Sequence, residues 1–176
     1  MTKRLGLLRH AKSEWDDVGA RDFDRGLNDR GRRGAKMMGR HIAALRPGFD
    51  AIIASPAVRV RETLDAAFPS ATVAWDDRLY LASSETLMDV VRDKAGDAEA
   101  VLVSAHNPGL QQLVFDLVTP ERENGLFEEA AVKYPTATFA LFELDIADWS
   151  ELAPDRGTLV AFKRPRDLDP DLGPES

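Results

Sequence analysis

Short apolar runs, each broken off by polar residues, recur along the first two-thirds of the chain. Leu5-Gly6-Leu7-Leu8 is brief and unbroken, as suits a strand buried on both faces, and it predicts a strand over 4–9. A polar loop from Lys12 to Arg25 follows. Asn28 is then placed to cap a helix reaching about Leu45, in which Ala35, Met38, Ile42 and Leu45 recur at helical spacing. Pro47-Gly48 ends it. Asp50 to Ala54 reads as a second buried strand, and Ser55-Pro56 as the cap and first turn of a second helix. A third strand is expected near Thr72 to Trp75. Ser83 or Ser84 caps the next helix, which carries Leu87, Val90 and Val91. Ala100 to Ser104 is a fourth strand, and Asn107-Pro108 opens a helix with Leu110, Leu113, Val114 and Leu117 facing inward. Strand and helix alternating in this order imply an α/β protein with right-handed crossovers and a largely parallel sheet.

The last third changes character. Residues 119–134 are polar and read as loop plus a short helix. Thr136 to Asp145 and Thr158 to Lys163 alternate like strands, and together they add an antiparallel edge. The stretch from Pro165 to Ser176 is rich in Pro and Asp and reads as a loosely held tail. With 176 residues and no linker-like segment, the expectation is one domain over 1–164 followed by that tail.

Composition narrows the function classes. An apolar content of 44% with 30% charged residues fits a soluble globular protein. A net charge of −7 argues against a general nucleic-acid or membrane-surface binder, while leaving room for a local cationic pocket. Having no cysteine removes disulfides, thiolate metal sites and cysteine nucleophiles together. The apolar run after Met1-Thr2-Lys3-Arg4 is too short for a secretory signal or a spanning helix, so a cytoplasmic location is expected.

Three segments share one layout, in which a buried strand leads through polar residues to a helix start. They are Arg9-His10, Ser55 to Thr63 with Arg59 and Arg61, and His106-Asn107-Pro108-Gly109. In open α/β sheets ligands bind beyond the carboxyl ends of the strands, so the three should meet on one sheet edge. Two of the chain's three histidines stand there, with two or three guanidiniums and two helix starts. Guanidiniums clamp phosphate through paired hydrogen bonds, and helix N-termini attract anions. An imidazole among them is suited to take a phosphoryl group as nucleophile, because nearby cations favour its unprotonated form. Arg61 lies about 200° around the helix from Arg59 and reads as a surface residue. Lys12 reads as a rim charge and His41 as structural or exposed. No dinucleotide fingerprint, Walker loop, Gly-x-Ser-x-Gly elbow or His-Glu-x-x-His motif is present.

Arg9-His10-Ala11-Lys12-Ser13, Ser55-Pro56-Ala57-Val58-Arg59 and His106-Asn107-Pro108-Gly109 closely resemble the histidine phosphatase superfamily. Leu27-Asn28-Asp29-Arg30-Gly31 resembles a recurring segment of it. Within the superfamily the chain looks most like the small bacterial phosphohistidine phosphatases of the SixA type. The resemblance implies a phosphoglycerate mutase-like fold, a three-layer α/β/α sandwich with a mostly parallel sheet and an antiparallel edge strand. It implies His10 as the phosphorylated nucleophile, Arg9 and Arg59 as phosphate ligands, and His106 as a second phosphate-binding imidazole. It implies no metal and no cofactor. Ser13 and Asn107 are further candidates for substrate binding.

The chain departs from the superfamily pattern in two places. Ala11 and Asp16 stand where many members have Gly and Asn, and Asp16 is a poor phosphate ligand because its charge repels the substrate. Between Arg59 and His106 there is no room for the inserted lid of larger members, so an open site is expected. Glu85 is the one candidate for a carboxylic general acid. An open site without a strong acid suits a protein-borne phosphohistidine, whose imidazole leaves more readily than an alkoxide. The alternatives are a small-molecule phosphomonoesterase and a non-catalytic phosphoprotein-binding module.

Overall fold

Leu5 and Leu7 face one side of the central sheet and Leu8 the other, and this alternation sets up two cores. The computed structural model describes residues 2–16 and 19–173. Its strands are β1 (Lys3–Arg9), β2 (Ala51–Ala54), β3 (Ala74–Trp75), β4 (Ala100–Ala105), β5 (Phe139–Leu144) and β6 (Gly157–Lys163). Its helices are α1 (Asp29–Ala43), α2 (Val58–Ala67), α3 (Ser84–Lys94), α4 (Gly109–Leu117), α5 (Gly125–Val132) and α6 (Pro165–Leu168). Among the described residues the strands form one sheet in the order β3-β2-β4-β1-β5-β6.

The pairs β1–β4, β2–β4 and β2–β3 are parallel, while β5 is antiparallel to both β1 and β6. The antiparallel strand thus sits one place in from the edge, and β6 takes the edge itself. On one face Leu5, Leu7, Val101 and Val103 pack with Leu87 and Val90 of α3, Leu113 and Leu117 of α4, and Phe127 of α5. On the other, Leu8 and Leu102 meet Met38 and Ile42 of α1 and Val60 and Leu64 of α2. The result is the expected α/β/α sandwich.

Local chemistry accounts for the helix starts. Asn28 accepts from Gly31 N at 2.8 Å, and Ser83, not Ser84, accepts from Thr86 N at 3.2 Å. Ser55 does not cap α2. The helix opens only at Val58, and the Ser55 hydroxyl accepts from Ala57 N at 3.3 Å while facing His106 in the site.

The segment after β6 also differs from the loose tail expected of it. Pro165 starts α6, Asp167 accepts from Arg164 N at 2.8 Å, and Asp169 closes a following turn by accepting from Asp171 N at 3.0 Å. Arg33 reaches Asp169 at 2.6 Å, Arg30 donates to the Gly173 carbonyl at 2.6 Å, and Leu172 is buried. The prolines and aspartates that suggest looseness are here turn and capping residues. Residues 174–176 of that expectation lie outside the described residues. Among the described residues no helix is long and apolar enough to cross a membrane.

Candidate active site

Because β1, β2 and β4 are parallel neighbours, their carboxyl ends deliver His10, Ser55 and His106 to one edge of the sheet. Arg59 follows in the first turn of α2. The His10 backbone is pinned from both sides, its N–H donating to Ala105 O at 3.2 Å and its carbonyl accepting from Ala137 N at 2.9 Å. The His10 and His106 rings lie 5.3 Å apart, centroid to centroid.

His10 has one ring nitrogen committed and His106 has both. His10 Nδ1 lies 2.8 Å from the Ala11 carbonyl, which can only accept, so Nδ1 carries the hydrogen and Nε2 keeps its lone pair. Burial, opposed by that hydrogen bond and aided by the charges of Arg9 and Arg59, pushes the His10 pKa down to about 3. His106 Nδ1 faces the Arg59 guanidinium at 3.3 Å and Nε2 faces Ser55 Oγ at 2.8 Å, so the hydrogen sits on Nε2. Burial first and Arg59 second bring its pKa down to about 3 as well. Near neutral pH the site therefore holds two neutral imidazoles and a free lone pair on His10, suited to attack on phosphorus.

Arg59 donates to the Asp22 carbonyl at 2.8 Å and to its carboxylate at 3.1 Å. The Tyr80 hydroxyl donates to the same carboxylate oxygen, and Arg25 reaches the other at 2.7 Å. The Tyr80 ring stands edge-on to His106 at 5.5 Å. Arg9 donates to the Tyr134 carbonyl at 3.0 Å. The Nε atoms of Arg9 and Arg59 are buried without a protein partner, leaving donors for an oxyanion. Thr63 Oγ1 accepts from Ala11 N at 2.9 Å and donates to Arg59 O at 2.6 Å, which locks the loop after His10 to the helix that bears Arg59.

These groups open into a cavity of about 470 Å³. Eight arginines and lysines line it, and none of the described residues that line it is acidic. Of the residues singled out from the sequence, Arg9, His10, Arg59, His106, Ser13, Asn107 and Lys12 all line the cavity. The Ser13 hydroxyl accepts from Arg25 Nε at 3.4 Å. Asn107 spends its side chain on the wall itself, accepting from Gln111 N at 3.1 Å and donating to Tyr134 O at 3.1 Å.

Glu85 is a correction. It projects from the exposed face of the first turn of α3 and is not among the residues that line the cavity. Arg61 points elsewhere, stacking on Trp75 at 4.3 Å and donating to Pro56 O. Asp16 is exposed and also outside the lining. Among the described residues no three His, Asp or Glu side chains are grouped to hold a metal ion. Asp22, Tyr80, Thr63, Tyr134 and the wall from Arg164 to Gly173 were not foreseen from the sequence. The one available signal was Asp22-Phe23-Asp24-Arg25, a charged cluster inside the polar loop.

The family model for the histidine phosphatase superfamily (branch 1) matches residues 5–80. A SixA protein of Nakamurella multipartitia superposes with a TM-score of 0.81 at 30% identity, covering 94% of this chain and 97% of that one. The chain belongs to the histidine phosphatase superfamily. A SixA protein of Agrobacterium tumefaciens gives a TM-score of 0.74 at 30% identity, over 92% of this chain and 97% of its own. An uncharacterized protein of Mycobacterium tuberculosis is 31% identical over 160 residues, which is 90% of this chain and all of that one. Within the superfamily the chain is of the SixA type. Its fold is the phosphoglycerate mutase-like one, and it is a phosphatase.

Proposed function

We propose that the protein removes a phosphoryl group through a covalent phosphohistidine on His10, and that its substrate is a phosphohistidine borne by a protein. In this scheme His10 Nε2 attacks phosphorus and the bond from phosphorus to the substrate nitrogen breaks. The substrate ring, already protonated on its other nitrogen, keeps the electron pair and leaves as neutral imidazole. Water then attacks the phosphorus, releasing orthophosphate and restoring His10. Arg9 and Arg59 stabilise the equatorial oxygens, His106 joins them by turning its Nε2–H from Ser55 to the phosphate, and Ser13 and Asn107 shape the wall around them.

The observation that carries the choice of substrate is that none of the described residues lining the cavity is a carboxylic acid. An alkoxide leaving from an ester needs a proton donor at the moment the bond breaks, whereas a phosphohistidine takes its proton beforehand on the other ring nitrogen, whose ordinary pKa of about 6.5 makes this accessible near neutral pH, and so expels a neutral imidazole. The likeness to SixA-type proteins favours the same substrate class. A cavity of about 470 Å³ is also the size of a small-molecule site, which favours the second reading, a small-molecule phosphomonoesterase.

A direct test compares turnover of a phosphohistidine protein with that of unactivated alkyl phosphates, and looks for acid-labile phosphate on the enzyme. The proposal expects rapid loss of protein phosphohistidine, slow alkyl ester hydrolysis, and a labile adduct on the wild type but not on His10→Ala. Equal turnover of both substrates would defeat the choice of phosphohistidine. An adduct that persists in His10→Ala would defeat the nucleophile.

A further inference from the structure

The cavity is larger and more cationic than one phosphoryl group requires. The groups assigned to phosphate stand at the ends of β1, β2 and β4. A second set of cations comes from the other side, where the sheet continues through β5 to β6. Lys133 follows α5 at the approach to β5, and Arg166 lies in α6, just past β6. Both line the cavity. Lys133 leads into β5, one strand spacing from β1, and Arg166 follows β6, two spacings away, so this wall stands roughly 5–10 Å from the His10 line.

The cations on that wall are not equivalent. Arg164 is held by Asp167 at 3.0 Å and by Glu129 at 3.4 Å, so its charge is matched inside the protein. Lys133 is exposed and Arg166 half-buried, and among the described residues neither pairs with a carboxylate. In a chain of net charge −7, two such cations facing a cavity whose described lining residues include no acid make a local field for anions. The wall is also built. Arg33 and Arg30 tie the segment after β6 to α1, and Leu172 is buried beneath it.

We infer that Lys133 and Arg166 form a second anion subsite, which takes a carboxylate or phosphate carried by the same substrate roughly 5–10 Å from the transferred phosphoryl group. The inference rests on the proposed phosphoryl site at His10. It adds that the substrate has two anionic ends. The second anion can be an acidic side chain flanking a phosphohistidine or the far end of a small metabolite, and the chemistry recognised is the same.

Calorimetric binding of benzylphosphonate and of its para-carboxyethyl derivative to the full chain tests this. The carbon–phosphorus bond resists hydrolysis, so binding is read whether or not the enzyme turns substrate over. The carboxylated probe should bind about tenfold more tightly to the wild type. That ratio should fall to about two or less in Lys133→Gln/Arg166→Gln. It should persist in Lys36→Gln/Arg40→Gln, which removes the same charge from exposed positions of α1. A wild-type ratio near one overturns the subsite, as does a ratio equally lost in both double variants. Neither result bears on whether His10 is phosphorylated, which the adduct experiment reads separately. Peptides with the phosphohistidine flanked by Glu or by Gln then separate the two sources. A preference for Glu that depends on Lys133 and Arg166 places the second anion on a protein, and a preference confined to the small probes places it on a metabolite.

Discussion

The Asp22 carboxylate, brought in by the loop between β1 and α1, accepts a hydrogen from Arg59 Nη2 at 3.1 Å. The same nitrogen faces His106 Nδ1 at 3.3 Å, so Asp22 sets the direction of Arg59 and, through it, of the second imidazole. Burial opposes ionisation of Asp22, but Tyr80 and Arg59 together hold its pKa below the ordinary range. Asp22→Ala removes the carboxylate from Arg59 and from the Tyr80 hydroxyl at once, leaving Arg59 only the Asp22 carbonyl, and kcat/KM on an aryl phosphate should fall about tenfold or more. Asp22→Asn keeps an acceptor for both and should lose distinctly less. Steady-state kinetics of the two variants side by side checks the ordering.

Thr63 joins the nucleophile loop to α2 by one accepted and one donated hydrogen bond, wholly buried. Thr63→Val keeps the shape but leaves the Ala11 N–H without a partner. A loss of about 1–3 kcal/mol in stability is expected, read from the denaturant midpoint at unchanged slope.

Gly31 lies where a Cβ would run into the backbone carbonyl of Lys12. By helix propensity alone Gly31→Ala should gain about 1 kcal/mol. Here the added methyl pushes on the loop two residues after His10. Activity should drop about ten- to a hundredfold, because small displacements of reacting groups are costly. A variant at least as active as the wild type would show that the loop yields without moving His10.

The two imidazoles, each brought down to about 3 by burial, link folding to pH. The unfolded chain takes up their protons near pH 6.5 and the folded chain only near 3. Between those values the unfolded state binds more protons, so stability falls as the pH falls. Above about pH 6.5 this contribution no longer varies. Urea unfolding between pH 7 and 4 should show a loss of a few kcal/mol, much reduced in His10→Ala/His106→Ala. The same shift predicts no loss of His10 nucleophilicity near pH 6.5, so any acid limb of kcat there belongs to the phosphate of the substrate.

The strand ends were legible because each is a contiguous buried run followed immediately by polar residues. Arg9-His10, Arg59 and His106-Asn107 are therefore visible as chain-local signals. Asp22, Tyr80 and Tyr134 are not, since each acts on the site through pairings 37 to 125 residues apart. Glu85 misled because a carboxylate in a helix's first turn satisfies the local pattern whichever way the helix faces. The segment from Pro165 onward misled through composition. Its prolines and aspartates are those of a flexible tail, and only the contacts of Arg33 with Asp169 and of Leu172 with the core show otherwise.

Arg9 is held by the main chain of Tyr134, whose hydroxyl donates to Leu7 O at 2.7 Å, and Asn107 donates to the same carbonyl as Arg9. The anchor of the reactive strand is thus a backbone oxygen and a buried ring. Lys133 stands just before it, and its side chain faces the rim. In evolutionary terms chemistry and taste are uncoupled here. The rim can be rewritten one side chain at a time while the nucleophile keeps its place, so descendants of one enzyme can come to dephosphorylate different things.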